Sequence, residues 1–386
     1  MFERPRGTRD FAPEEMGRRR AVEAAFMRVA RRFGYGEVAT PTFEHAQLFI
    51  AKSGPGIVEE LYAFRDKGGR ELALRPELTA PVIRFYLNEL QARPKPLKVF
   101  YLGTSYRYDE PQFGRYREFL QFGVEILGGN PLQSDAEVIA TAVEAVREAG
   151  LKGFRVHLGH IGLIRDLLDV EEEAKARILS HLDKRHEDEL TQELDAAGIG
   201  DLQDQLVALV DLRGGREILG KARELVGDQE GLQYLDDLGA LLRRYEIEDV
   251  LFDLGVVRGL DYYTGAVFEL HFEPLGAASQ ICGGGSYTLT EVFGGKPLQT
   301  TGFGMGFDRV LLALEEAGVE LPVSGLDVYV IPIGDHMMVP AYDVLRKLRQ
   351  AGLSADVDLV GRGPSKNLDH ANAIGTRTAV LVGERE

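Results

Sequence analysis

Three arginines, Arg107, Arg115 and Arg117, crowd one polar turn between two strand-patterned runs that extend from Lys98 to Ile126. A guanidinium stays charged and its planar fork matches phosphate oxygens, so this density suits a polyphosphate. Alternate residues of a strand share a face. On the second run Leu120, Phe122, Val124 and Ile126 make an apolar face, while Phe119, Gln121, Gly123 and Glu125 make the other. Gln and Glu flanking a bare glycine pack poorly, but they let a ligand approach the backbone. Gly103, Ser105 and Arg107 share a face of the first run in the same way. The alternative is a solvent-washed sheet face whose Arg and Glu are simply wet. The coincidence of three arginines with Gln121 and Glu125 favours a site.

A second group lies at Thr301–Leu312, where Gly302, Gly304 and Gly306 share one bare strand face and Phe303, Met305 and Phe307 the other. A strip without side chains admits a planar ring, and adenine is the obvious candidate. Asp308 is placed to cap the helix that follows, and Arg309 to lie over the ring as a stacking cation. Close packing of a helix on the strip would explain the glycines but not the arginine. No Gly-Lys-Ser/Thr follows, so this is not a phosphate loop, and the spacing is not a dinucleotide fingerprint. A third group, Val257–Gly265 with Ile281–Tyr287, is rich in Gly and Tyr. Core tyrosines and plain glycine turns are the ordinary reading of such segments. Cys282 reads as a small packed residue. The histidines, His157, His160 and His271 among them, lack metal-ligand spacing, so no metal is expected.

The elements that must position these groups follow from periodicity. The spacing predicts a helix over 13–33, stopped by Gly34, and a strand from Tyr35 to Thr40, closed by Pro41. A hairpin pattern covers 61–64 and 71–74, a helix 77–91 and another 134–149. A strand at 154–158 precedes a helical, charge-rich stretch over about 160–245 that reads as an insertion. Strand signals return at 250–293 and 300–306, before a helix at 308–318. After a linker at 321–325, strand 327–333, helix 337–351, strand 354–360 and strand 378–382 suggest a separate α/β module.

With 386 residues the chain is long enough for two or three domains. A formal net charge of −16 argues against broad nucleic-acid binding, so any such partner needs locally clustered arginines. No apolar run is long enough to span a membrane, the N-terminus lacks the apolar core of a signal peptide, and one cysteine permits no internal disulfide.

The Tyr101–Glu125 segment resembles motif 2 of the class II aminoacyl-tRNA synthetases, and the glycine strip with Arg309 resembles motif 3. The helix and strand ending at Pro41 resemble motif 1, the dimer-forming element. Arg258-Gly259-Leu260-Asp261-Tyr262-Tyr263 and Gly283-Gly284-Gly285-Ser286-Tyr287 are similar to the two signatures peculiar to histidyl-tRNA synthetases, and Leu74–Ala80 fits their pattern too. The likeness runs from Arg6 into the C-terminal module, and the motifs are specific in combination.

That resemblance implies an α+β fold: a mostly antiparallel sheet flanked by helices, a helical insertion and a C-terminal α/β anticodon-binding-type domain. The expected divisions are 1–160 and 248–320 for the catalytic domain, 161–247 for the insertion and 326–386 for the last domain. It implies an ATP-dependent, histidine-specific ligase, a cytoplasmic homodimer whose partners are ATP, L-histidine and tRNA(His). Mg2+ would arrive with the nucleotide, and no cofactor would be tightly bound. Arg107 would hold the α-phosphate, Arg115 the outer phosphates, and Arg309 would stack on adenine and reach the γ-phosphate. Asp109, Gly304 and Gly306 would complete the ATP site. Arg258 would face the α-phosphate opposite Arg107, the pair forming the catalytic charge, and would also border the histidine. Glu77, Thr79 and Gln121 would bind the amino and carboxylate region, and Glu125, Tyr263 and Tyr287 would read the imidazole. Such chemistry needs positioning and charge neutralisation rather than a nucleophilic side chain.

The chain departs from the family at Asp109, where Glu often contacts the adenine edge. It departs again at Glu110, where many bacterial members carry Arg facing the extra guanosine of the acceptor end. The resemblance also implies a strand and helix beyond Val382, so a truncated chain is expected. A rival from the same lineage is the non-catalytic, histidine-binding regulatory paralogue that partners ATP phosphoribosyltransferase. Other rivals are a class II-like enzyme acting on a different acid and a purely structural binding module.

Overall fold

The computed structural model describes residues 2–256, 262–322 and 325–384. The chain divides into two compact units, one of residues 1–11 with 19–320 and the other of 12–18 with 321–386. The first is built on a nine-stranded sheet, and five neighbouring strands of it matter most. They are β1 (Leu97–Tyr106), β2 (Glu118–Leu127), β3 (Tyr263–His271), β4 (Gln280–Tyr287) and β5 (Thr300–Gly306), in the spatial order β1-β2-β5-β4-β3, each antiparallel to its neighbours. Parallel pairs occur only towards the edges, where Gly36–Glu37 meets β1 and Arg155–His160 meets Val250–Asp253. The strand expected over 35–40 is therefore short, a two-residue edge ahead of Pro41.

Period-two alternation decides which face of this sheet is packed. Phe122 and Val124 of β2 and Phe303 and Met305 of β5 point to one side and are fully buried. Beneath them lies helix α1 (Pro13–Arg32), whose Phe26 ring is 4.9 Å from Phe122 and 5.8 Å from Phe307; Phe122 in turn is 5.6 Å from Phe303. Offset and edge-to-face rings at these separations add to the area they remove from water. A one-residue slip of β2 or β5 would send these rings to the other face, so the aromatic cluster fixes the register.

The remaining helices brace the sheet's ends. Helix α2 (Ala46–Ser53) and helix α3 (Thr79–Phe85) flank a small sheet of strands 43–45, 71–74 and 63–65. Helix α4 (Pro131–Glu148) carries the buried Asp135, which accepts hydrogen bonds from Ser286 Oγ of β4 at 2.7 Å and from Tyr234 OH at 2.6 Å. Tyr234 belongs to helix α5 (Glu230–Leu242), the last long helix of the expected insertion. One carboxylate thus ties that helix to the strand bearing Tyr287. The 160–245 stretch is helical as expected, apart from the two-residue strand Arg213–Gly214 that extends the main sheet.

Helix α6 (Phe307–Glu316) follows β5 directly. Asp308 does not cap it: its carboxylate accepts the Leu120 N–H at 3.2 Å and pairs with Arg19 and Arg9, each at 2.6 Å. Arg9 lies on an N-terminal segment whose Gly7 carbonyl accepts the Arg117 N–H. A Cβ at Gly7, where φ is +81°, would collide with the Arg117 side chain.

The second unit contains a three-stranded parallel sheet, Val328–Pro332 between Ala355–Val357 and Thr378–Val382. Helix Met338–Gln350 was expected. Helix Pro364–Ala373 was not, although Gly363-Pro364 is a helix-start signal, and the strand expected over 354–360 is confined to three residues.

Asp308 is 4% exposed, and removing its charge strands two guanidiniums. Asp308→Asn should cost about 3 kcal/mol and lower Tm by several degrees in a thermal melt, whereas Arg6→Ala, which breaks only the exposed Arg6–Glu110 pair, should cost less than about 0.5 kcal/mol.

Candidate active site

Residues directly opposite one another in an antiparallel sheet point to the same side. Reading across β2, β5 and β4 on the face away from the aromatic cluster, Gly123, Gly304 and Gly283 stand abreast, and Glu125, Gly302 and Gly285 make the next row. Gln121 is opposite Gly306, and Tyr287 is opposite Tyr263. Five glycines in two rows thus leave a bare floor with Gln121 at one end, Glu125 in the middle and two tyrosines at the other. Substitution there has no room: a Cβ on Gly302 would run into the Glu125 carboxylate, and one on Gly304 into the Gln121 amide.

The floor lies under a cavity of about 520 Å³. Around it the fold brings together the sequence-expected groups. Arg107, Asp109, Arg115, Arg309, Gly304 and Gly306 line it, and so do Glu77, Thr79, Gln121, Glu125, Tyr263 and Tyr287. Arg258, with its neighbours 257–261, lies outside the described residues.

Two of these arginines, Arg107 and Arg309, donate to backbone carbonyls. Arg107 Nε donates to Pro76 O at 3.0 Å, and its guanidinium lies 5.5 Å from the Phe119 ring. Arg309 donates to Gly114 O at 3.2 Å and to Gln280 O at 2.7 Å, holding the turn after β1 against β4. Gly114 makes that turn at φ +71°. Carbonyl acceptors fix the direction in which a guanidinium fork points, and such a fork matches phosphate oxygens. Arg117 is not in the cavity; it donates to the Asp109 carbonyl at 3.0 Å and stacks on Tyr108.

A buried carboxylate is among the other lining residues. Glu125 is 1% exposed. Tyr287 donates a very short hydrogen bond to its Oε2 and Tyr101 donates to Oε1 at 3.2 Å, with the Thr79 hydroxyl 3.4 Å from the Tyr101 oxygen. Burial lifts the carboxyl well above the usual carboxylate range, to about 7, with the three hydroxyls and Lys52 pulling the other way. Burial also pushes the phenols of Tyr287, Tyr101 and Tyr263 well up, so they remain donors. Beside them the Glu77 carboxylate accepts the N–H of Thr79 at 2.7 Å and of Ala80 at 3.0 Å.

Two of the residues that the fold adds carry little mark in the sequence. Tyr101 continues the Gly103–Ser105–Arg107 face by one step, so its alternation was visible. Lys52, at the end of α2, carried no signal beyond a charge in an apolar run. Cys282 is buried and its thiol is pushed up by burial, as suits a packing residue. Away from the cavity, His157, His271 and Glu273 bring ligand-capable atoms within 4.8 Å of one another. The two rings stack at 4.2 Å and 17°, so their in-plane lone pairs do not converge, and Arg213 lies 3.0 Å from His157 Nε2. That arrangement does not suit a cation.

The family model described as histidyl-tRNA synthetase matches residues 7–310, and the anticodon binding domain model matches residues 327–386. A histidine–tRNA ligase of Archaeoglobus fulgidus is 44% identical over 388 aligned residues, spanning 100% of this chain and 92% of that protein. Among solved structures, apo histidyl-tRNA synthetase of S. aureus superimposes with a TM-score of 0.76 at 30% identity, covering 100% of this chain and 92% of that one. A protein titled ATP phosphoribosyltransferase regulatory subunit/histidyl-tRNA synthetase, from Bacillus halodurans, gives 0.83 at 29%, covering 99% and 98%.

A carboxyl raised to about 7 is protonated below neutrality and ionised above it. Infrared difference spectra between pH 5.5 and pH 8.5 should therefore contain a carboxylate band with a midpoint near 7 that Glu125→Gln removes; a midpoint near the ordinary glutamate value would contradict the burial account.

Proposed function

We propose a mechanism from one premise: this chain belongs to the histidyl-tRNA synthetase family. Its reaction is that of a histidine–tRNA ligase. Histidine is activated with ATP to histidyl-adenylate and pyrophosphate, and the histidyl group then passes to the 3′ end of the tRNA. The observation that carries the residue assignment is a single cavity lined by both tethered arginines and a hydroxyl-held carboxylate.

In the first step a carboxylate oxygen of histidine attacks the α-phosphorus and the phosphorus–oxygen bond to the pyrophosphate breaks. Both reactants are anionic, so the barrier falls when fixed positive charge brings them together and meets the charge spread over the five-coordinate phosphorus. Arg107 holds the α-phosphate and Arg258 faces it from the other side. Arg115 takes the outer phosphates, and Arg309 covers the adenine and reaches the γ-phosphate. Gly304 and Gly306 admit the nucleotide to the floor, and Asp109 meets the adenine edge. Mg2+ enters with ATP as part of the substrate and keeps most of its waters.

Histidine occupies the other part. Glu77 and Thr79 take the ammonium, Gln121 the carboxylate region, and Glu125 with Tyr263 and Tyr287 pairs with the ring nitrogens. A pocket that hydrogen-bonds both nitrogens rejects analogues lacking them, because its own buried polar groups are then left unpaired. The 326–386 module reads the tRNA anticodon, and residues 161–247 form an insertion in the catalytic domain. A cytoplasmic homodimer goes with this function. No described helix is long and apolar enough to cross a membrane.

The regulatory, histidine-binding reading shares this lineage, and the B. halodurans protein is named for both. Against it stand Arg107, Arg258 and Arg309 together, with the anticodon-domain match over 327–386. Histidine-dependent exchange of pyrophosphate into ATP separates the two readings: exchange with histidine as the best of the twenty amino acids is expected, and none at all would favour the regulator.

Two variants test the assignments. Arg258→Ala should abolish exchange, by about a thousandfold or more, while histidine binding measured by calorimetry stays largely intact; normal turnover would refute its role. Glu125→Ala should raise the Kd for histidine by about a hundredfold and that for ATP little, and equal losses would count against imidazole recognition.

A further inference from the structure

The last turn of α2 carries a lysine that points inward. Lys52 has a side chain only 6% exposed, an ammonium 2.9 Å from Glu77 Oε2 and a place 4.5 Å from the centroid of the Tyr262 ring. It lines the same cavity as Glu77 and Glu125. Lysine is among the residues least often buried, because removing water from an ammonium costs several kcal/mol. An apolar side chain of similar length would fill this space without that cost, so packing alone does not account for it. Burial draws the ammonium's pKa down, but Glu77, Tyr262 and Glu125 together outweigh it and leave the pKa above the ordinary lysine value.

The geometry at Glu77 shows what the charge does. A carboxylate offers about four acceptor positions, two on each oxygen. Lys52 and the Thr79 N–H take Oε2, and the Ala80 N–H takes one position on Oε1. Three donors from two elements fix the carboxylate's orientation and leave one position free on Oε1. The second carboxylate also responds to Lys52. Facing Glu125 are Thr79 from α3, Tyr101 from β1, Tyr287 from β4 and, at longer range, Lys52 from α2; of these only Lys52 is a cation. Once Glu125 is ionised, two carboxylates and the Lys52 ammonium leave a single net negative charge for the substrate's ammonium to neutralise.

We propose that Lys52 is a positioning residue for histidine recognition: its buried ammonium pins Glu77 so that one position on Oε1 receives the substrate's ammonium, and it offsets the joint negative charge of Glu77 and Glu125. This rests on the assignment of Glu77 and Glu125 to histidine given above. Loss of the charge frees Glu77 to rotate and lets Glu125 take up its proton at a higher pH.

The test is pyrophosphate exchange by the full chain, with histidine and ATP varied separately across pH. Lys52→Met, or the uncharged Lys52→Gln if the first does not fold, should raise the histidine KM about tenfold or more and leave the ATP KM within about twofold. The acid limb of kcat/KM for histidine, which reports the free enzyme, should move up by about half a pH unit or more, and Lys52→Arg should restore it. An unchanged histidine KM would overturn the proposal, as would a parallel rise in both KM values with the acid limb unmoved, which is the mark of lost packing. Glu77→Gln separates this from the site assignment. If it raises the histidine KM while Lys52→Met does not, the Lys52 inference alone falls. If Lys52→Met raises it and Glu77→Gln does not, the Glu77 assignment falls and takes the pinning with it.

Discussion

A carboxylate sits in the middle of a buried sheet face with hydroxyls, not a cation, as its nearest partners among the described residues, and the rest of the site is arranged to make that tolerable. Glu125 would be costly to bury alone. The Tyr287 and Tyr101 hydroxyls supply donors without cancelling its charge, and the Thr79 hydroxyl stands beside that of Tyr101. Its opposite number on β5 is Gly302, because any side chain there would occupy the carboxylate's space. Those donors arrive from β1 and β4, with Thr79 of α3 beside Tyr101, so the carboxylate is correctly dressed only when these elements are in register. The aromatic cluster of Phe26, Phe122, Phe303 and Phe307 on the opposite face holds β2 and β5 in that register.

The site residues follow two electrostatic plans. Backbone carbonyls of Pro76, Gly114 and Gln280 orient the Arg107 and Arg309 guanidiniums. Arg9 and Arg19, paired with Asp308, serve the fold. They anchor the start of α6, and hence Arg309, to the N-terminal segment and α1. A triphosphate and an amino-acid carboxylate repel one another, so a site that joins them must have its positive charge in place beforehand. Around Glu77 and Glu125 the polarity reverses, with carboxylates and hydroxyls that on the proposed assignment meet an ammonium and a ring N–H. The Asp135 link from Ser286 to Tyr234 extends this order outward, tying the strand of Tyr287 to α5.

Strand alternation made much of this legible in the chain itself. Gln121-Phe122-Gly123-Val124-Glu125 and Gly302-Phe303-Gly304-Met305-Gly306 each declare a packed face and a bare one, and the sheet sets those faces side by side. What the chain alone did not disclose depends on distant partners. Asp308 has the position of a helix cap, yet Arg9, Arg19 and the Leu120 amide compete successfully for its carboxylate. Lys52 looks like the polar end of a short helix until the fold carries it to Glu77. Arg117, alike in type to Arg107 and Arg115, is turned away because the Asp109 carbonyl and the Tyr108 ring claim it. The helix Pro364–Ala373 escaped notice because its face is mostly polar, although Pro364 marked its start.

The central claim is spatial: one cavity receives a nucleotide against Arg107 and Arg309 and an imidazole against Glu125. A crystal structure with ATP and histidinol tests it most directly. The account predicts the imidazole N–H within hydrogen-bonding distance, about 3 Å, of a Glu125 oxygen, the adenine on the Gly304–Gly306 strip, and the alcohol end of histidinol directed at the α-phosphate. Ligands bound elsewhere, or an imidazole that leaves the Glu125 carboxylate with only its hydroxyl partners, would contradict it.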